Sequence, residues 1–270
     1  MKRLDPLAKN NVHIAGNWQA PRTIVFLHGF GTEQSAWSAV AQHFEEDYRL
    51  VFLDNVGAGG SLPEAFVQSH YLDLHAYADD LLDVCEALEL HDAIFVGHSL
   101  GAMTGVLASN KQPTRFSRLA LICASPHYLN CDQYQGGFTQ DDLNQVYSAI
   151  DDEFDEWATA FAPLMMGNPD QPQLARYFMD AIRAIPQDRV MTVLCSIFQS
   201  DHRQDIERIE KPALLLQSRD DIAVPPEVTE YLHRHIPGSR LVMLDATGHL
   251  PHLSAPAEVA KALRPFVESS

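Results

Sequence analysis

One serine lies at the centre of a five-residue pattern that could support nucleophilic catalysis. Gly97-His98-Ser99-Leu100-Gly101 matches G-x-S-x-G, which is typical of a serine on a sharp turn between a strand and a helix. Such a turn strains the backbone of the serine and exposes its hydroxyl above the sheet. Side chains two residues before and two residues after the serine would collide, so both positions are glycine. The pattern predicts that Ser99 is a nucleophile.

A serine hydroxyl needs a neighbouring base to remove its proton, and the chain has 13 histidines. His249 lies in DATGHLPH, between a predicted strand and the last predicted helix, so we predict that it is the base. His252, three residues later, is the competitor, and we expect it to be mainly structural. His98 adjoins Ser99 on the turn, where neighbouring side chains point in different directions, so it should form part of a pocket wall.

The base in turn needs a carboxylate that fixes its tautomer and stabilises its charged form. The chain order serine, acid, histidine places this acid in SRDDIAVP. Asp221 is favoured because it stands four residues before Pro225, and Asp220 is expected to be a solvated neighbour. Asp245 lies near His249 in the sequence and remains the alternative, although its expected role is to cap the loop.

Hydrolysis of a carbonyl compound also needs two backbone N–H donors that face the developing negative oxygen. One donor should be the amide of Leu100, the residue after the nucleophile. The other should come from the loop HGFG after the first buried strand, where glycines let the backbone approach a substrate closely. We predict that Phe30 supplies this second amide.

These motifs follow short apolar runs that alternate with amphipathic stretches. Strands are predicted at 23–28, 49–54, 93–98, 118–125, 213–217 and 240–244. Helices are predicted at 35–46, 75–90, 100–110, 226–236 and 256–268. The alternation predicts an α/β fold with a mostly parallel sheet and helices on both faces.

Residues 126–200 interrupt this alternation. They contain acidic helix-like runs and many large apolar side chains, and no buried strand is evident among them. We therefore predict a core of residues 1–125 and 201–270, with 126–200 as a helical insertion. The insertion should lie over the carboxyl edge of the sheet, where open α/β sheets bind their ligands.

The composition excludes several classes of partner. The chain has 270 residues and a formal net charge of −17, which argues against binding nucleic acid or anionic lipid. No stretch has the roughly 20 apolar residues of a membrane span, and the N-terminus lacks the apolar core of a secretory signal. A cytoplasmic location is the expectation.

The chain offers little to hold a cofactor. Its four cysteines are scattered without the short paired spacing of a metal site, and we expect reduced thiols: Cys85, Cys123, Cys131 and Cys195. No phosphate-binding loop is present in the sequence. We therefore predict neither a metal nor a nucleotide cofactor.

Longer motifs point to a family. FLHGFGTEQSAW, FVGHSLGA, YQGGF, FQSDHR, DDIAVP and GHLPH closely resemble the RsbQ-like α/β-hydrolases, and the resemblance runs from about Val12 to the C-terminal helix. This group includes the bacterial stress-response regulator RsbQ and the plant karrikin and strigolactone receptors. One turn departs from the family pattern, because DNVGAGGS carries Asn55 and Gly60 where relatives are expected to have Tyr and His or Asn. We expect this departure to affect packing more than chemistry.

The resemblance implies an α/β-hydrolase fold with a V-shaped cap of four helices over a deep apolar pocket. It also implies the residues that line this pocket: Phe30, His98, Tyr128, Phe138, Val146, Trp157, Phe161 and Phe198. For each aromatic side chain, plain core packing is the alternative.

Two functions of different class fit these features. The first is a serine esterase or lactonase that acts on small hydrophobic esters or butenolide-type lactones. The second is a signalling protein or small-molecule receptor, in which slow hydrolysis supports binding of a partner protein. Hydrolysis of a carbon–carbon bond is disfavoured because the insertion is poor in Lys and Arg. Dehalogenase chemistry is disfavoured because Ser99, and not aspartate, occupies the turn.

Overall fold

The computed structural model describes residues 4–269 and contains one seven-stranded sheet. The strands are β1 (His13–Gly16), β2 (Thr23–Leu27), β3 (Arg49–Leu53), β4 (Ala93–His98), β5 (Phe116–Ile122), β6 (Ala213–Asp220) and β7 (Arg240–Thr247). Their spatial order is β1-β3-β2-β4-β5-β6-β7, and every neighbouring pair is parallel except β1 and β3. The predicted α/β class and mostly parallel sheet are therefore confirmed.

Helices cover both faces of this sheet. They are α1 (Pro6–Lys9), α2 (Ser38–Ala41), α3 (Leu74–Ala87), α4 (Leu100–Lys111), α5 (Gln140–Asp152), α6 (Phe154–Met166), α7 (Pro172–Arg183), α8 (Gln187–Phe198), α9 (Arg203–Ile206), α10 (Pro226–His235), α11 (Pro251–Ser254) and α12 (Pro256–Glu268). Three short 3₁₀ helices lie at Gln34–Trp37, Pro63–Ala65 and Pro113–Arg115. Within residues 4–269, none of the helices combines the length and the apolar character that crossing a bilayer requires.

The central strands are apolar on both faces because both faces are covered. In β2, Val25 and Leu27 belong to the core beneath α3 and α4, whereas Ile24 and Phe26 belong to the core beneath α2 and α12. This alternation follows from the two-residue repeat of a strand. The sheet therefore separates two apolar layers and holds the ends of its strands in fixed positions.

The segment predicted as one helix at 35–46 is instead broken. It begins as the 3₁₀ helix Gln34–Trp37, continues as the single turn α2, and ends in turns. The amides of His43 and Phe44 bond carbonyls three residues back, at 3.2 and 2.8 Å. The apolar spacing was nevertheless a sound guide to burial, since Trp37, Val40 and Phe44 are all in the core.

Five helices, α5 to α9, lie between β5 and β6, and we call the first four of them, α5 to α8, the cap. Thr139 begins the cap with a capping box, in which its hydroxyl accepts from the Asp142 amide while Asp142 accepts from the Thr139 amide. The two connections between cap and core run side by side. The amide of His202 donates to the carbonyl of Pro126 at 2.8 Å, and His127 forms an antiparallel bridge with Asp201.

Candidate active site

The carboxyl ends of the parallel strands meet at one edge of the sheet. Leu27 at the end of β2 pairs with Gly97 in β4, and Asp220 at the end of β6 pairs with Thr247 in β7. The loops that follow these four strands therefore leave the sheet at the same edge. They carry the side chains that the sequence singles out for catalysis.

Ser99 sits on a strained turn between β4 and α4. Its φ of 51° and ψ of −116° lie in a region that costs a non-glycine residue about 1–3 kcal/mol. The flanking glycines make the turn possible, because a Cβ on Gly97 would lie 2.7 Å from the backbone of Gly101. A Cβ on Gly101 would lie 2.5 Å from the carbonyl oxygen of Leu27.

Three side chains form a continuous hydrogen-bonded chain at this turn. His249 Nε2 lies 2.9 Å from Ser99 Oγ, and His249 Nδ1 lies 2.9 Å from Asp221 Oδ2. Ser99 and His249 are both buried, and the Asp221 carboxylate has no exposed surface. With Nδ1–H donating to the carboxylate, Nε2 holds the lone pair that can accept the serine proton. The arrangement can therefore perform nucleophilic catalysis.

The carboxylate of Asp221 is held in its charged form. Burial acts to raise the pKa of Asp221, but the charge of the facing His249 and hydrogen bonds from His249, Ala223 and Gln217 outweigh it and hold that pKa below its usual range. Besides His249, the carboxylate accepts from the amides of Ala223 and Val224 and from Gln217 Nε2, at 2.9, 3.2 and 3.0 Å. These contacts fix the acid on a rigid loop at the end of β6.

The alternative residues lie elsewhere. Asp220 is exposed at the end of β6, and Asp245 faces solvent 3.7 Å from Arg219. His252 is fully buried and stacks on Trp37 with ring centroids 4.6 Å apart. His98 Nε2 donates to the carbonyl of His249 at 2.7 Å, so this neighbour of Ser99 helps to hold the loop of the predicted base.

Two backbone amides are free to face a substrate oxygen. Leu100 is the first residue of α4, where an N–H has no partner within the helix. Among the hydrogen bonds that residues 4–269 form, none is donated by the Leu100 or the Phe30 amide. The positive end of the α4 dipole adds to the attraction for negative charge beside Ser99.

An apolar cavity opens above Ser99, between the cap and the edge of the sheet. Seven of the eight residues predicted for the pocket line it: Phe30, His98, Tyr128, Phe138, Val146, Phe161 and Phe198. Trp157 instead packs behind the cavity wall, stacked on Phe161 at 4.8 Å. The cavity therefore presents mainly aromatic carbon, with Ser99 and His249 at its floor.

Tyr128 is the one phenol in this wall. Its ring meets Phe198 edge to face at 5.2 Å, and its hydroxyl interacts with the Ser99 side chain. Burial raises the pKa of Tyr128, so the hydroxyl stays protonated and remains able to donate. The connection from β5 to the cap thus places a hydrogen-bond donor beside Ser99.

Several lining residues were not predicted from the sequence: Met165, Phe178, Leu194, Ile197, Ala223 and Leu250. Helical spacing contained a usable signal for some of them. Met165 follows Phe161 by four residues on α6, and Leu194 precedes Phe198 by four on α8, so each pair shares a helix face. No pattern in the sequence marks Gln217 as a partner of Asp221.

Two groups of side chains have ligand atoms close enough to hold a metal ion, within the part of the chain that the structure describes. The first is His98, Cys123 and His249. Its His249 already bonds both Ser99 and Asp221, so the hydrogen-bonded chain accounts for it without a metal. The second is His75, His202 and Asp205, at the base of the cap. The four cysteines are free thiols in the structure, with Cys85 and Cys123 buried.

Comparison with known proteins agrees with this geometry. A model of the alpha/beta hydrolase fold matches residues 22–256. The chain is 40% identical to Karrikin insensitive 2 receptor CA of Petunia hybrida and 38% identical to Strigolactone esterase D14 of Arabidopsis thaliana. Each of these two matches covers 94% of both chains.

A solved structure of a hydrolase from Oleispira antarctica superposes with a TM-score of 0.95 and 31% identity. The match covers 98% of this chain and 97% of that one. The agreement extends over the sheet, the surrounding helices and the cap. The chain therefore belongs to the α/β-hydrolase fold family, in the group that contains the karrikin and strigolactone receptor proteins.

Proposed function

We propose that this protein is a carboxylic ester hydrolase, an esterase or lactonase, in which Ser99 forms an acyl-enzyme. The observation that carries the proposal is the hydrogen-bonded chain from Ser99 through His249 to Asp221 at the floor of an apolar cavity. Relatives named as esterases, at about 40% identity over most of the chain, support the same chemistry.

In the first half of the reaction, His249 Nε2 takes the hydroxyl proton as Ser99 Oγ attacks the ester carbonyl. The amides of Phe30 and Leu100 stabilise the oxyanion, and each such donor is worth about 3 kcal/mol. The tetrahedral intermediate collapses, and His249 returns its proton to the departing alcohol. Asp221 stabilises the imidazolium while it exists. The acyl group is now bonded to Ser99.

In the second half, His249 removes a proton from a water molecule that attacks the acyl-enzyme. The same two amides stabilise the second oxyanion. Collapse expels Ser99 Oγ, which recovers its proton from His249. One ester and one water thus yield one acid and one alcohol. For a lactone, both product groups remain on one molecule.

The cavity favours a small, uncharged and largely apolar substrate. Of the residues within 4–269 that line it, none is a lysine, an arginine or a carboxylate. An anionic substrate would find no counter-charge there, which disfavours the carbon–carbon hydrolysis considered above. Small hydrophobic esters and butenolide-type lactones match the aromatic walls, and relatives named for strigolactone hydrolysis support the lactone class.

The test is release of p-nitrophenol from short-chain p-nitrophenyl esters, with wild type compared with Ser99→Ala. Wild type should turn over, and the alanine variant should lose at least a thousandfold in kcat (about 10³ or more) because the nucleophile is gone. Equal activity in the two proteins would overturn the proposal. Absence of turnover in folded wild type would do so as well.

A second candidate is a ligand receptor in which hydrolysis is slow. The receptor names of relatives at 40% identity, with 94% of both chains covered, favour it. The two functions differ in the second half-reaction, because a receptor would retain its acyl group. Intact-protein mass spectrometry during turnover separates them: a persistent adduct on Ser99 supports the receptor, and a free enzyme at steady state supports the esterase. The signalling partner of such a receptor would be another protein.

A further inference from the structure

The loop that carries His249 is in direct backbone contact with the end of helix α6 in the cap. Gly248 has a φ of 82°, and a Cβ on this residue would lie 1.9 Å from the carbonyl oxygen of Met166. Gly167 ends α6 with a φ of 63°, and its Cβ would lie 2.9 Å from the Cα of Gly248. Glycine at both positions therefore lets the two segments of chain approach this closely.

The contact satisfies backbone groups that a helix end leaves without a partner. The last four carbonyls of a helix have no donor within it, and in α6 these include the carbonyls of Met165 and Met166. The His249 amide donates to the carbonyl of Met165 at 2.8 Å. The carbonyl of Met166 accepts from Nδ2 of Asn168, the second residue beyond the helix. The loop of His249 thus supplies a donor that α6 itself lacks.

Asn168 joins the helix end to the loop through its side chain. Its Nδ2 donates to the Met166 carbonyl on the cap side and, at 3.0 Å, to the Thr247 carbonyl on the loop side. The Thr247 hydroxyl in turn donates to the carbonyl of Gly167 at 3.1 Å. One amide group therefore connects the turn after α6 to the residue two positions before His249.

The cap and the core hold the backbone on opposite sides of His249. Before it, the Thr247 carbonyl and the His249 amide bond to the cap. The Gly248 amide donates to the Asp220 carbonyl in the core at 2.7 Å. After it, the His249 carbonyl accepts from His98 Nε2 in the core at 2.7 Å. Because each peptide group is planar, the two that flank a residue determine where its side chain leaves the backbone, and here the cap and the core determine it together.

We propose that the end of α6 positions the catalytic base, with Asn168 as a positioning residue that acts through the backbone of His249. This role rests on the proposed function, because it takes His249 as the base. His249 Nε2 lies 2.9 Å from Ser99 Oγ, and a displacement of about 1 Å costs on the order of a hundredfold in rate. Phe161 and Met165 on the same helix line the cavity, so α6 contacts the substrate and also holds the base. The base is therefore in place only while the cap is docked on the core.

The test compares Asn168→Ala and Asn168→Asp with wild type in ester hydrolysis. Aspartate keeps the shape of asparagine, but its carboxylate cannot donate and would face two carbonyl oxygens. Both variants should lower kcat about tenfold with KM nearly unchanged, because the base is displaced while the cavity is intact. Thermal unfolding checks that each variant is folded at the assay temperature.

Gln187→Ala is the matched control within the cap. Like Asn168, Gln187 donates from one side-chain amide to two carbonyls at the end of a cap helix, those of Ile150 at 2.8 Å and Asp151 at 3.1 Å. These carbonyls belong to α5 and not to the turn beside His249. Neither Asn168 nor Gln187 is among the described residues that line the active-site cavity. The control should therefore keep the kcat of wild type.

A p-nitrophenyl phosphonate separates this role from the esterase proposal. Ser99 Oγ attacks the phosphorus and p-nitrophenolate departs, while the serine proton passes through His249 to the leaving group. The step needs the base but neither deacylation nor a cognate ester, and its rate should fall about tenfold in Asn168→Ala and not in Gln187→Ala. If wild type reacts with the phosphonate but hydrolyses no ester, the esterase proposal fails, while a slower reaction of Asn168→Ala still supports the positioning role.

A protein without the base distinguishes positioning from a purely structural role. In His249→Ala no imidazole remains to be placed, so the addition of Asn168→Ala should change the residual phosphonylation rate by less than about twofold. The same loss with and without His249 would show that Asn168 acts on folding or on the cavity, and would overturn the proposal. Equal phosphonylation rates for wild type, Asn168→Ala and Asn168→Asp would overturn it as well.

Discussion

Asn55 anchors the loop that follows β2. Its Nδ2 donates to the carbonyl of His28 at 2.9 Å, and its backbone amide donates to His28 Nε2 at the same distance. His28 begins the loop that contains Phe30, whose amide is one of the two proposed oxyanion donors. Asn55 is also one of the positions at which this chain departs from the expected family pattern. Its contacts include two hydrogen bonds as well as packing, and they hold the backbone that we propose to face the substrate.

Asn55→Ala should therefore lower kcat about tenfold, with little change in KM. The substitution removes one of the two hydrogen bonds that Asn55 makes to His28, so the Phe30 amide is less accurately placed against the transition state, where small displacements are costly. Steady-state kinetics with a short-chain ester provide the measurement. Asn17→Ala is the control, since that exposed side chain bonds only the carbonyl of Glu46 near the surface. Equal kcat in the two variants would show that Asn55 does not position the loop.

Helix α6 presents different side chains to the cavity and to solvent. Phe161 and Met165 line the cavity, whereas Leu164 on the same helix is 59% exposed. Trp157 supports the ring of Phe161 from behind. The length of substrate that fits above Ser99 is therefore limited by a side chain that a single substitution can shorten.

Phe161→Ala should shift substrate preference toward longer acyl chains. Removal of the ring enlarges the cavity, and each methylene accommodated in an apolar pocket is worth about 1–3 kcal/mol. We expect the ratio of kcat/KM for octanoate over acetate esters to rise at least tenfold (about 1.4 kcal/mol) relative to wild type. Leu164→Ala, on the solvent side of α6, should leave the ratio unchanged. A similar ratio in both variants would exclude Phe161 as a determinant of chain length.

Local residue patterns predicted those elements whose conformation depends mainly on their own residues. The strand of β4 and the turn at Ser99 are of this kind, because buried apolar runs and glycine spacing have few alternative structures. The strand β1 was missed: it has four residues, none of them fully buried, and β3 is the strand with which it pairs, in antiparallel orientation. Its conformation depends on a neighbour that lies far away in the sequence.

The residues of the candidate site also divide into those that local motifs predict and those that depend on distant packing. Ser99, Asp221 and His249 could be proposed from motifs, and the structure brings these three side chains into hydrogen-bonding distance. The contact of Gln217 with Asp221 and the cluster of His75 with His202 depend on how distant segments pack. Trp157 has the same aromatic character as Phe161, and only the rotation of α6 determines which of the two rings faces the cavity.

At the scale of the whole molecule, a group of neutral histidines is buried in the core. Burial lowers the pKa of His98 well below its ordinary value, and the neighbouring His252 and His249 lower it further. Burial likewise lowers the pKa of His28, although Asp54 partly opposes it. Burial lowers the pKa of His252 to about 3. These rings stay uncharged in the folded protein under conditions in which they would be protonated in the unfolded chain.

The free energy of unfolding should consequently fall as the pH drops below about 6.5, where unfolded histidine begins to take up protons. For His252 the loss continues to about pH 3, its folded pKa. Between pH 7 and pH 5, one such histidine contributes a loss of about 2 kcal/mol. His252→Phe keeps a ring against Trp37 and should reduce the pH dependence by about that amount. Urea unfolding at the two pH values provides the measurement.

The control for this prediction is His43→Phe, at an exposed position where folding leaves the ring in solvent. Its stability should depend on pH as that of wild type does. A His252→Phe protein with the full pH dependence of wild type would contradict the assignment of His252 as a buried neutral group. An increase in stability at pH 7 would agree with it, since both ring nitrogens of His252 lack partners among the described residues.

The adjacent ends of the cap have an evolutionary consequence. The hydrogen bond between Pro126 and His202 brings the first and last residues of the insertion together at the edge of the sheet. The pairing of β5 with β6 therefore does not depend on how many residues the insertion contains. Selection can therefore vary the length and the lining of the insertion, provided that the end of α6 is kept, because the amide of His249 donates to the carbonyl of Met165 there at 2.8 Å. New ligands would then be acquired through residues that only line the cavity, such as Phe138 and Phe198, and not through the segment of the cap that holds the loop of His249.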